Sequence, residues 1–194
     1  DMGSGGDFGV ATDYQSNSSI KGAIQRMYSS TEAMDANGLT INLAWLTASL
    51  VVIAFAAWLI KRLCEEHLLV DAQLVTALTL LLISPVSWSH HWVWLTLIIP
   101  VFIYRAWTWL PSGWAAGSLL TVLIAWSAML LTVPPKWWWG DQVDVHAMER
   151  YQKFWVDDFV WLTILTVALF AAAFYASQRN NRNANTATPV PLAS

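Results

Sequence analysis

The chain has 194 residues, of which 56% are hydrophobic and only 12% charged, and its net charge is −3. A soluble domain carries about twice that charged fraction, so an ordinary globular domain is excluded. The negative balance and the lack of a basic stripe exclude a nucleic-acid partner, and the single cysteine, Cys64, excludes an intrachain disulfide and a cysteine-built metal cluster.

Residues 1–39 are polar and begin Gly/Ser-rich. No basic region followed by an apolar core opens the chain, and it starts at Asp1, so we expect a piece of a longer protein. From Ser18 the pattern predicts a short amphipathic helix with Ile20, Ala23, Ile24 and Met27 on one face. Asn17 or Ser19 is placed to cap it. Lys21 and Arg26 are solvated surface charges or phosphate contacts. Asn17-Ser18-Ser19 also fits the short glycosylation acceptor pattern, a weak signal.

Five apolar runs follow, over about 41–60, 68–88, 92–109, 114–133 and 159–176. Each is near the roughly 20 residues needed to cross a hydrocarbon core. They are continuous rather than alternating, which favours helices over barrel strands. The sequence therefore predicts an all-α membrane protein of about five transmembrane helices over residues 40–177. An outer loop covers 134–158, and a disordered cytoplasmic tail covers 178–194.

Alternation puts residues 1–39, the link at 89–91 and the 134–158 loop on one side. Lys61, Arg62, Arg105, Arg179 and Arg182 hug helix ends on the other. Of Lys21, Arg26, Lys136, Arg150 and Lys153 on the first side, several lie farther out, among Asp141, Asp144, Glu149, Asp157 and Asp158. The positive-inside rule then places the 89–91 link outside the cell. The five acids of the loop have no diagnostic spacing, and none is singled out as a base. All tryptophans but Trp126 fall near a predicted boundary, as interfacial anchors do. Trp137, Trp138 and Trp139 share the outer face with Trp88, Trp92 and Trp94, an aromatic surface able to hold a sugar ring or lipid chain. Pro85 and Pro100 each remove a backbone donor from an apolar run.

The segment linking the second and third spans, residues 84–92, reads Ser-Pro-Val-Ser-Trp-Ser-His-His-Trp. Adjacent helical residues point about 100° apart, so His90 and His91 do not share one metal, and neither His67 nor His146 supplies a matching haem spacing. An imidazole at a membrane surface either hydrogen-bonds locally or contacts a phosphate or sugar hydroxyl.

This segment resembles the Ser-Pro-Ile-Ser-Trp-x-His-His-Trp signature of the actinobacterial polyprenyl-phosphate-mannose-dependent α-(1→2)-mannosyltransferases, glycosyltransferase family 87 of the GT-C class. Residues 17–22, Asn-Ser-Ser-Ile-Lys-Gly, with Arg26, resemble the family's upstream Asn-Gln-Ser-x-x-Gly-x-x-x-Arg element. Ser18 stands where the family has Gln. The resemblance implies the C-terminal part of a GT-C fold in a multi-pass bacterial plasma-membrane protein with its active face extracytoplasmic. It implies a polyprenyl-phosphate-linked mannose donor, a glycolipid acceptor of the phosphatidylinositol mannoside or lipomannan type, and no cofactor. The general-base Asp of such enzymes has no counterpart here, so this chain alone is expected to be inactive. Carried over by position, His90 and His91 contact donor phosphate or acceptor, and Trp88 and Trp92 line the lipid-facing edge. Asn17, Ser19 and Arg26 shape the outer rim. The alternatives are a relative using another lipid-linked sugar such as arabinose, and a non-catalytic truncated membrane protein.

Overall fold

The computed structural model describes residues 12–140 and 143–187. The chain is an all-α membrane protein: four helices are long and apolar enough to cross a bilayer, with one shorter apolar helix among them. In chain order the helices are α1 (Ile20–Arg26), α2 (Thr31–Ala36), α3 (Gly38–Glu65), α4 (Leu69–Ile83), α5 (Leu95–Trp109), α6 (Trp114–Leu130), α7 (Arg150–Val156) and α8 (Asp158–Ala187). Short 3₁₀ turns cover Ser89–Trp94, Leu110–Ser112 and Pro135–Trp137.

α3 packs on α4, α5 on α6, and α6 on α8, while α1 lies across the start of α3. The buried seam runs from Leu59 and Leu63 through Leu78, Ile98, Phe102, Leu119, Leu123 and Phe170. Phe102 stacks on Phe170 at 4.2 Å between ring centres. Much of α3 keeps its apolar surface exposed, at Leu43, Leu46, Leu50, Val51 and Phe55 among others. That pattern belongs to a helix solvated by lipid rather than water.

α3 ends where His67 adopts a left-handed backbone, φ 58°. The His67 N–H returns to the Cys64 carbonyl and the Leu68 N–H to the Leu63 carbonyl, a Schellman closure that turns the chain directly into α4.

Two differences from the sequence reading have clear causes. The second run, expected over 68–88, is helical only over Leu69–Ile83, because the residue before Pro85 is barred from helical geometry and Ser84 turns to ψ 137°. At 1.5 Å per residue those 15 residues span about 22 Å, short of a bilayer core of about 30 Å. Non-helical backbone at 84–88 follows and leads into the 3₁₀ turn at Ser89–Trp94. The last helix runs on to Ala187 through residues 178–187 of the expected tail, since leaving the apolar layer changes solvent but does not break a helix. Residues 188–194 and Asp141 lie outside the described residues. Trp126, remote from any boundary, is fully buried as a core residue.

Candidate functional site

Breaking α4 at Pro85 frees backbone groups close to the membrane boundary. Such backbone is tolerated only where protein satisfies it. The segment before α1 does so. The Asn17 amide accepts from the Ser87 N–H at 2.8 Å and donates to the Pro85 carbonyl at 3.3 Å and the Thr12 carbonyl at 2.6 Å. The Ser18 N–H donates to the Ser87 carbonyl at 2.8 Å, and Asn17 and Trp88 form an isolated antiparallel bridge. Ser19 caps α1 by accepting from the Gly22 N–H at 3.1 Å, and its hydroxyl donates to the Pro85 carbonyl at 3.3 Å. Gly22 is required here: a Cβ at that position would sit 2.7 Å from the Asn17 carbonyl oxygen.

Arg26 closes the arrangement from behind. Its guanidinium donates to the carbonyls of Asp13 (3.3 Å), Tyr14 (3.0 Å) and Asn17 (3.0 Å) and pairs with Asp157 through both Nε and Nη2. Burial pushes the Asp157 carboxyl up, and the Arg26 charge pulls it back toward the ionised form. Beside this pair, Lys136 Nζ lies 3.1 Å from Asp158, donates to the Ser18 hydroxyl at 2.5 Å, and sits 3.4 Å above the Phe159 ring. A third couple joins His146 Nε2 to Asp13 at 2.6 Å, with His146 Nδ1 2.9 Å from the Tyr28 carbonyl. The segment before α1, the 84–88 stretch and the loop between α6 and α8 are thus tied into one polar knot.

The knot carries the 3₁₀ turn Ser89–Trp94 and with it the histidine pair. His90 and His91 are both exposed, and neither ring has a hydrogen-bond partner among the described residues. Their ring centres are 4.3 Å apart and the planes cross at 74°. His90 stands over a groove of about 620 Å³ between α5 and α6, lined also by Trp92, Thr96, Pro100, Ser127 and Phe159. Pro100 removes the donor that would have reached the Thr96 carbonyl, so one freed acceptor belongs to this groove wall. His91 borders a different hollow of about 210 Å³ with Leu81, Ser84, Ser87 and Trp94. The walls are mainly apolar and the histidines are the titratable groups on their rims, an arrangement suited to an amphiphile with a polar head.

The other candidates sit elsewhere than expected. Asn17, Ser19 and Arg26 are each 0% exposed and line neither hollow, so they brace the 84–88 stretch from within. Burial also closes Asn17 to a glycan and Arg26 to a free phosphate. Trp92 is 3% exposed rather than lipid-facing, because it packs edge-on to Phe159 at 5.2 Å. It reaches the groove only as part of the wall, and its indole N–H has no partner. Trp88 is half-buried beside the bridge. Among the described residues no three His, Cys, Asp or Glu side chains gather as a metal site. Asp13, Lys136, His146, Asp157 and Asp158 were not singled out from sequence. The available signal was the Asp157-Asp158 pair directly before an apolar run, where carboxylates are costly unless partnered.

The sequence model described as Glycosyltransferase family 87 matches residues 4–85. Over that stretch the chain is similar to glycosyltransferase family 87. The matched stretch contains the Asn17–Arg26 element and ends at Pro85, just past the end of α4. The chain is 26% identical over 155 residues to a polyprenol-phosphate-mannose-dependent alpha-(1-2)-phosphatidylinositol mannoside mannosyltransferase of Mycobacterium tuberculosis, covering 77% of this chain and 34% of that relative. It is 35% identical over 133 residues to a polyprenol-phosphate-mannose-dependent alpha-(1-2)-phosphatidylinositol pentamannoside mannosyltransferase of the same species, covering 68% of this chain and 27% of that relative. A Mycolicibacterium smegmatis phosphatidylinositol mannoside mannosyltransferase is 35% identical over 89 residues, covering 40% of this chain and 20% of that relative. The chain thus spans about a third or less of the length of these curated relatives. No solved structure matches it.

Proposed function

We propose that this chain forms part of a membrane mannosyltransferase that moves mannose from a polyprenyl-phosphate carrier to a phosphatidylinositol mannoside-type glycolipid. In this reading the histidine end lies on the extracytoplasmic face of a bacterial plasma membrane. The observation that carries it is the docking of the Asn17–Arg26 element onto the 84–88 stretch, which holds two unpartnered imidazoles at the mouths of two apolar hollows. A lipid-linked sugar phosphate needs an apolar berth for its chain beside a hydrogen-bond donor for its phosphate, and His90 over the larger groove offers both.

In the transfer, the acceptor hydroxyl attacks the anomeric carbon while the bond from that carbon to the phosphate oxygen breaks. The acceptor proton passes to a base, and the polyprenyl phosphate leaves as an anion. His90 and His91 serve the phosphate side, where donors aimed at developing negative charge lower the barrier. The buried carboxylates Asp157 and Asp158 are occupied by Arg26 and Lys136, so neither is assigned as the base. A base outside this chain completes the site.

The test uses His90→Ala and His91→Ala in the full-length protein, assayed in membranes with polyprenyl-phosphate-mannose and phosphatidylinositol mannoside acceptors. Each is expected to lower turnover roughly a hundredfold while expression holds, because both rings are exposed. Wild-type turnover in both variants would overturn the assignment. Retained activity with an arabinose carrier, and none with mannose, would move the donor to another lipid-linked sugar.

A further inference from the structure

The end of the molecule opposite the histidines carries a second, differently built hollow. It lies between the last turn of α3 and the far end of α8, has a volume of about 270 Å³, and is lined by Arg62, Glu65, Glu66, Tyr175, Arg179 and Arg182. Trp58 of α3 stacks on Tyr175 of α8 at 5.2 Å with planes 8° apart, fixing the two helices beside it. Phe174, which is buried, closes the floor.

Its charges are unevenly used. Arg62 pairs with Glu65 at 3.0 Å, and Lys61 reaches the same carboxylate at 3.9 Å from outside the hollow. Arg179 and Arg182 stand three residues apart on one face of α8. Among the described residues neither has an ion-pair partner. Two guanidinium groups on one helix face, spare of carboxylates, match a tetrahedral oxyanion, because each offers a planar fork of N–H donors.

Position decides which oxyanion. Arg62 closes a helix whose preceding turns expose Phe55 and Trp58, and Arg179 follows the apolar stretch of α8. The hollow therefore sits where lipid phosphates lie, with apolar helix surface running away from it for acyl chains. Basic hollows between membrane helices at this level bind lipid headgroups. A nucleotide or a phosphopeptide would find no such continuous apolar surface useful.

We propose that this hollow is a structural phospholipid site. Arg179 and Arg182 hold the phosphate of an anionic membrane phospholipid, and Arg62 lends a third cation from its bridge with Glu65. Glu66, which has no ion pair among the described residues, accepts from the headgroup hydroxyls. The bound lipid ties α3 to α8 at the end where few protein contacts join them. The site is separate from the histidine end, and the proposal does not rest on the glycosyl-transfer reading.

The test is lipid retention by the purified full-length protein. Released from nanodiscs of mixed phosphatidylglycerol and phosphatidylcholine, the protein is expected to keep one phosphatidylglycerol in native mass spectrometry. The Arg179→Gln/Arg182→Gln double variant should retain it roughly tenfold less, whereas Lys61→Gln, which removes a cation outside the hollow, should leave retention unchanged. The same double variant should lose the rise in melting temperature that phosphatidylglycerol gives the wild type in thermal unfolding. Equal retention of the two lipids, or equal loss in Lys61→Gln, would overturn the site. So would inorganic phosphate matching phosphatidylglycerol in that stabilisation, since the ligand would then be a free anion.

Discussion

Arg26 shows at the scale of one residue how position in a family motif differs from contact with substrate. It has no exposed surface, spends its donors on three carbonyls, and shares its charge with Asp157 from 131 positions away. Removing one member of such a pair leaves an uncompensated buried ion, which typically costs 3–5 kcal/mol. Arg26→Met in the full-length protein should therefore lower the thermal unfolding midpoint sharply and reduce expression, with activity falling in proportion to folded protein. If the folded fraction turned over normally, Arg26 would be a structural residue only. If turnover per folded molecule fell as well, the 84–88 stretch would depend on it for registering the histidines. Gly22 makes a tighter prediction. An added methyl meets the Asn17 backbone rather than a pliable side chain, so Gly22→Ala should destabilise by about 1–3 kcal/mol in chemical unfolding. A neutral effect would show that α1 shifts freely on the 84–88 stretch.

Among the elements, α4 is the one whose shape matters for the site. Its apolar run continues to Val86 and Trp88, which is why composition extends the span to 88, yet one proline ends the helix at Ile83. Trp45 of α3 donates its indole N–H to the Ile83 carbonyl at 2.9 Å, satisfying one of the acceptors left open where the helix ends. The other end is anchored by Asp71, fully buried, which takes both arms of Arg105 of α5 at 2.8 and 2.7 Å. Sequence showed both charges as isolated exceptions in apolar runs, 34 positions apart, and gave no reason to join them. Arg105→Met should destabilise by several kcal/mol, and Asp71→Leu in the same protein should recover much of it, because a paired apolar replacement removes the orphaned carboxylate. Thermal unfolding of the two single variants and the double variant measures this. Purely additive losses would argue against a coupled pair. The long apolar helices were readable in advance because a lipid solvent demands about 20 apolar residues in a row. The polar knot was not, because burial there depends on partners brought together from segments far apart in the chain.

For the whole molecule, the two ends are chemically unlike. The histidine end buries its charges in couples, Arg26 with Asp157, Lys136 with Asp158, and His146 with Asp13, and leaves the two imidazoles free. The other end leaves Lys61, Arg62, Arg179 and Arg182 at the surface. The positive-inside rule counts Lys and Arg close to the ends of the spans, where these four lie. Of the five Lys and Arg at the histidine end, Arg26 and Lys136 are fully buried, so more of the exposed basic charge lies at the other end. The reading with the histidines outside predicts a labelling pattern. Cys64 is exposed at the far end of α3, so in right-side-out vesicles a membrane-impermeant maleimide should leave it unlabelled and should label it in inverted vesicles. Ala147→Cys, exposed in the loop between α6 and α8, should give the opposite result in a Cys64→Ser background. Labelling of both sites from one side would mean the apolar helices between them do not cross as drawn. Labelling of Cys64 alone in right-side-out vesicles would turn the molecule over and put the histidine grooves on the inner face, where the proposed extracytoplasmic transfer could not occur.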